Sequence, residues 1–143
     1  MIEKQKQTIA QRLNRARETP IEARILEDTH HFEGWQKINP AKASLLAACA
    51  AAIRQVVPAA EVILYGSVAR GEEKPDSDID LLVLVPQEVT HKLERAIRDQ
   101  VYEIELESDQ IISVIVRQNT RWHSKPLNFT PLYRAIAREG IPI

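Results

Sequence analysis

The run Ile79-Asp80-Leu81-Leu82-Val83-Leu84-Val85 constrains this chain more than any other stretch. Every residue in it but Asp80 is apolar, and a strand of that composition is expected to be buried on both faces. Pro86 ends it. A second apolar run, Val62 to Tyr65, stops at Gly66, and a third, Ile111 to Val116, is dense in β-branched residues. Between and around these strands the pattern turns helical. Asn39 is a natural N-cap with Pro40 at the first helical position. Leu45, Leu46, Cys49, Ile53, Val56 and Val57 then form one stripe that Pro58 stops. Val89, Leu93, Ile97, Val101 and Ile104 mark a second amphipathic helix. Thr130 and Pro131 start a last one, with Gly140 just past its end. The order helix, strand, strand, helix, strand, helix predicts an α+β fold.

The 143 residues suit one domain with a short appendage: an extension over residues 1–38 and a domain over 39–143. A net charge of -1 gives no global reason to bind nucleic acid. The N-terminus is polar and mixed in charge, unlike a signal peptide. No apolar run approaches the roughly 20 residues of a membrane helix, so a cytoplasmic protein is expected. Cys49 is the single cysteine. In its alanine-rich helical setting it reads as a small core residue.

Two aspartates flank the start of the central run. Asp78 and Asp80 are two apart, so in a strand both carboxylates point to one face. Held together, they repel unless a cation sits between them. Their hard oxygens suit magnesium, which binds through one or two carboxylates plus substrate phosphates. The Gly66-Ser67 turn supplies a place for such phosphates. Gly66 lets an anion approach the backbone, Ser67 adds a hydroxyl, and Val68 to Arg70 are expected to begin a short helical turn. Arg70 carries a full positive charge there. The alternative for Arg70 is structural pairing with Asp76 or Asp78.

Gly66-Ser67-x-Ala69-Arg70-Gly71, followed by Ser77-Asp78-x-Asp80-Leu81-Leu82-Val83, resembles the signature of the minimal nucleotidyltransferases of the polymerase-beta-type superfamily. The resemblance covers about residues 39–143. It implies a small mixed sheet packed by helices and transfer of a nucleoside monophosphate, usually AMP from ATP, to an acceptor hydroxyl with Mg2+. It implies Asp78 and Asp80 as catalytic metal ligands and Gly66, Ser67, Arg70 and Ser77 as the nucleotide-binding set. Many of the smallest members are antitoxins encoded beside a HEPN-domain toxin, and some attach AMP to a tyrosine of that partner. A HEPN-type protein partner or a homo-oligomer is therefore expected, with neither membrane nor direct nucleic-acid contact. The chain also has no room for the second helical domain that antibiotic-modifying relatives use, which favours a protein acceptor.

The family pattern has a third aspartate on the later strand. Here the matching strand reads Ile111-Ile112-Ser113-Val114-Ile115-Val116, and its one polar position is Ser113. Serine brings no charge to a metal. Asp109 could replace it only by a shift of register, and Glu103, Glu105, Glu107 and Asp109 read better as an acidic, solvated helix end. The site is thus expected to bind Mg-nucleotide with two carboxylates. Transfer rests on water, Asp109 or a partner's side chain completing it, and a degenerate antitoxin that acts by binding is the alternative.

Residues 1–38 lie outside this pattern. Ile9, Leu13 and Ala16 suggest a polar helix interrupted by Pro20, and Arg24 with His30 fits loosely the Arg–His spacing of HEPN ribonucleases. The simpler expectation is a helix that covers one side of the domain, with His30 and His31 in a turn. Trp35 and Trp122 are candidates to anchor loops or face a partner. Trp122, His123 and Lys125, with Arg117 and Arg121, are expected near the acceptor entrance.

Overall fold

The computed structural model describes residues 38–72, 74 and 76–143. The expected N-terminal helix, the Arg24–His30 pair and Trp35 lie outside the described residues.

Helix α1 (Pro40–Val56) begins as its sequence directs, with the Asn39 side chain accepting a hydrogen bond from the Ala41 amide and proline in the first turn. Strand β1 (Glu61–Tyr65) follows and runs into a single helical turn, α2 (Ser67–Arg70). Strand β2 (Ile79–Val85) is the central run. Helix α3 (His91–Ser108) starts later than the apolar stripe suggests, because the Thr90 side chain caps it at the Leu93 amide. Strand β3 (Ile112–Gln118) leads into α4 (Asn119–Trp122), a 3-10 turn (Leu127–Phe129) and α5 (Pro131–Glu139). Thr130 caps α5 at the Tyr133 amide, as expected. The chain then adds a short strand, β4 (Ile141–Pro142), that the sequence pattern does not reveal.

The four strands lie in the order β3-β2-β1-β4. β1 is antiparallel to β2 and β4, while β2 and β3 are parallel, joined by the crossover through α3. The alternation of side chains splits this mixed sheet into two faces. On one face Val62, Leu64, Ile79, Leu81, Val83, Val114 and Val116 pack with Leu46, Cys49, Ile53, Ile97 and Val101 of α1 and α3. On the other, Leu82 and Leu84 pack with Trp122 and Ile136, and Ile63, Tyr65, Ile115 and Tyr133 join them. From Leu81 to Val85 the central strand is therefore covered on both faces, and the molecule is an α+β fold. Each fully buried Leu or Ile contributes roughly 1.5–3 kcal/mol.

Cys49 is buried, and burial together with the nearby Glu105 charge pushes its thiol up to about 12. It is a core residue. No helix among the described residues is long and apolar enough to cross a membrane.

Candidate active site

The second face is not covered along its whole length. Its apolar cluster occupies the part of β2 around Leu82 and Leu84. Asp80, at the start of the strand, lies on that same face and is half-buried. In register, Tyr65 stands opposite it on β1 and Ser113 opposite it on β3. Asp78 lies just outside the strand and is exposed. Burial raises the pKa of Asp80, the Asp78 charge raises it further, and Arg70 works in the opposite direction. The Asp78 charge is thus felt at Asp80, although Asp78 lies outside the strand that the two-residue spacing assumed for both. Both penalties on the Asp80 anion would be offset by a cation beside it. The donor chemistry fits a hard divalent ion.

Gly66 closes on this site from β1. Its φ of 81° is one that side-chain-bearing residues rarely adopt. A Cβ there would fall on Asp80 Oδ2. The residue is glycine because the aspartate carboxylate occupies the space a side chain would need. The turn that follows is tightly closed: the Arg70 amide donates to the Gly66 carbonyl at 3.1 Å and the Glu72 amide to the Ser67 carbonyl at 3.0 Å. Gly71, at φ 73°, ends it in the left-handed region. Val68 and Ala69 are buried and anchor the turn, while Ser67 stays half-buried at its start.

Two of the expected nucleotide-binding residues are engaged within the protein. Ser77 Oγ accepts from the Lys74 amide at 2.7 Å and so braces the loop leading to Asp78. Arg70 pairs with neither Asp76 nor Asp78. Its Nε donates to Glu72 at 2.9 Å and its Nη1 to both carboxylate oxygens of Glu139, at 3.2 and 3.0 Å.

Ser113 is level with Asp80, and Asp109 is not. Asp109 is the exposed C-cap of α3, in the left-handed conformation at φ 58°, and Glu103, Glu105 and Glu107 sit on that helix. The acids therefore form a helix end, and no shift of register brings Asp109 beside Asp80. Among the described residues, no group of three or more His, Cys, Asp or Glu side chains is gathered for a metal.

A family model described as the nucleotidyltransferase domain matches residues 46–139. The chain belongs to that family. No curated protein showed significant similarity to it. The match runs from within α1 to the end of α5, so this nucleotidyltransferase domain contains Gly66, Ser67, Arg70, Ser77, Asp78, Asp80 and Ser113.

β2 and β3 are parallel, and Asp80 and Ser113 lie near the start of each. The loop leaves β3 after Gln118, about 16 Å further along the strand. Trp122 folds back as a buried wedge on Leu82 and Leu84 and so anchors its loop to the core, one of the two roles expected of it. His123 Nδ1 and the Tyr133 hydroxyl share a hydrogen bond of 2.8 Å, and Lys125 lies over Phe129.

Two residues that the motif did not mark lie against the motif residues of this nucleotidyltransferase domain, Tyr65 beside Asp80 and Glu139 on Arg70. Tyr65 is raised in pKa by burial and by Asp80, with Arg117 opposing. Its place, one residue before Gly66 and in register with Asp80, could have been read from an antiparallel pairing of the first two strands. Glu139 is remote in sequence, and no local signal ties it to Arg70.

Proposed function

We propose that this nucleotidyltransferase domain binds a magnesium-complexed nucleoside triphosphate, ATP by the habit of its family, and transfers the nucleoside monophosphate to a hydroxyl. We read the acceptor as a tyrosine of a separate HEPN-type partner, within a toxin–antitoxin pair. The observation that carries the reading is the close approach of bare Gly66 to Asp80, which sets a glycine turn open to phosphate directly against a carboxylate whose pKa burial and Asp78 raise. Asp78 and Asp80 would hold the cation. When bound, magnesium offsets phosphate charge and orients the triphosphate for in-line attack. Gly66 leaves the backbone open to the phosphates, and Ser67 offers them a hydroxyl donor. Ser77 and Arg70 stabilise the turn and loop that carry these groups.

A second reading has its own observation. Ser113 stands level with Asp80, where a third carboxylate would act on the attacking hydroxyl. Loss of a positioned charge or base typically costs about 10²–10⁴-fold in rate. The alternative is a degenerate module that binds nucleotide and neutralises its partner by association.

Incubation of the pure protein and the product of its neighbouring gene with labelled ATP and magnesium separates the two. Label on the neighbour that disappears with Asp78→Asn supports transfer. A stable complex without label, unchanged by Asp78→Asn, supports the binding module and overturns transfer.

A further inference from the structure

We infer that Arg70 is a positioning residue that fixes the Gly66–Arg70 turn through Glu139, and not a direct ligand of phosphate. The guanidinium meets two carboxylates, one on each side. Glu72 takes Nε, and Glu139 takes Nη1 through both of its oxygens. The guanidinium's charge still reaches Asp80, but two of its donor edges are committed to carboxylates, which leaves it less to offer a triphosphate than a free arginine has. It does offer a tether.

The far end of that tether is firmly placed. Glu139 is the last residue of α5, and its side chain is only 20% exposed. Gly140, next to it, has no space for a side chain: a Cβ would meet the Ile136 carbonyl oxygen and come within 2.8 Å of Ile63 Cγ2 on β1. The Gly140 amide donates to that carbonyl at 2.7 Å. Beyond the corner, Ile141 pairs with Leu64 and Pro142 with Ile63. A closed ring results. β1 leads into α2, Arg70 bridges to Glu139, and Glu139 returns through Gly140 and β4 to β1. The bridge spans residues 69 apart in sequence and ties the turn to the strand that launches it.

This inference rests on nucleotide binding at the turn, and its test separates the two. The affinity of the full chain for magnesium and a non-hydrolysable ATP analogue is measured by calorimetry, well below the melting temperature of each variant. Glu139→Gln keeps the arginine and removes its tether. A positioning role predicts affinity weaker by about threefold to tenfold, the range of modest ion-pair couplings. A direct phosphate ligand predicts the reverse, because the guanidinium is released for the nucleotide. The exchanged pair Arg70→Glu with Glu139→Arg restores affinity to within about twofold of the original if Arg70 positions the turn. It abolishes binding if arginine must touch phosphate at that place. Glu72→Gln, which leaves the bridge to α5 in place, changes affinity little. Tightening by Glu139→Gln, or no recovery in the exchanged pair, overturns the inference. If the unmodified chain binds no nucleotide, the proposed function fails, and the tether is read from amide exchange over residues 66–71. Exchange must quicken in Glu139→Gln and slow again in the exchanged pair. Unchanged exchange overturns the tether.

Discussion

A carboxylate drawn into a strand raises the free energy of the fold whenever it ionises. Asp80 is such a group, with its pKa lifted by burial and by Asp78. The sign follows directly. The folded pKa exceeds the ordinary value of 3.8, so protonated Asp80 favours the fold. That stability is present below the ordinary value and is lost as pH rises through the raised one. Without metal, Asp80→Asn is therefore expected to melt higher than the unmodified chain at pH 7 and to lose magnesium-dependent nucleotide binding. Melting curves and calorimetry on one preparation check both, and a lower melting temperature would sink the account of burial. Gly66→Ala combines an unfavourable φ with a collision, at a cost of at least about 1–3 kcal/mol. It should lower the denaturation midpoint and disturb Asp80 together. Ser113→Asp places a third carboxylate level with Asp80 and should tighten divalent-metal binding, measured by titration. It should also raise any transfer rate. At this scale the sequence is informative where a residue type is forced. Glycine and aspartate at 66 and 80 are legible because few alternatives satisfy those positions. Ser113 is legible as a missing acid. Glu139 is silent, since a glutamate at a helix end is ordinary until a distant arginine reaches it.

Helix α3 shows a different tension. Its C-terminal half carries Glu103, Glu105 and Glu107, with Asp109 as the cap and no basic residue in the last turn. The negative end of a helix favours cations there. Exchanging Glu107 for lysine should stabilise the chain by about 0.3–1 kcal/mol at low salt, an effect that added salt diminishes. A denaturant titration at two ionic strengths tests it. Helices with caps and stripes were readable because the signals are local: Asn39 with Pro40, and Thr130 with Pro131. Strand β4 was not. It is two residues long, one of them proline, and exists because the α5 corner delivers it beside β1. Gly140 shows the same limit. Its sequence position suggests a left-handed helix cap, yet its φ is −62°, and contact with Ile136 and Ile63 is what excludes a side chain.

For the molecule as a whole, one strand organises two cores. β2 sends Ile79, Leu81, Val83 and Val85 to the α1–α3 layer and Leu82 and Leu84 to the α4–α5 layer. An apolar run with a single aspartate announced this arrangement in the sequence, whereas the pairing directions did not appear there. The parallel partnership of β2 with β3 carries the chain away from Asp80 along β3 before Trp122 turns back onto Leu82, a path that no spacing of Trp122, His123 and Lys125 could reveal. The first layer also shields Cys49. With its thiol pushed up to about 12, it should resist alkylation at pH 8 in the folded chain and react on unfolding. A mass-spectrometric time course with and without denaturant reads this directly. Rapid labelling of the folded protein would contradict its burial. The ring that closes from β1 through α2 and α5 back to β1 has a consequence for how the chain tolerates change. Its two corners are glycines, Gly66 and Gly140, each filled by a neighbour's atoms. In a scan of every substitution, these two achiral hinges should tolerate replacement as poorly as the aspartates do. A map of mutational sensitivity would then trace the outline of a closed loop, with two of its most intolerant points at residues that have no side-chain chemistry.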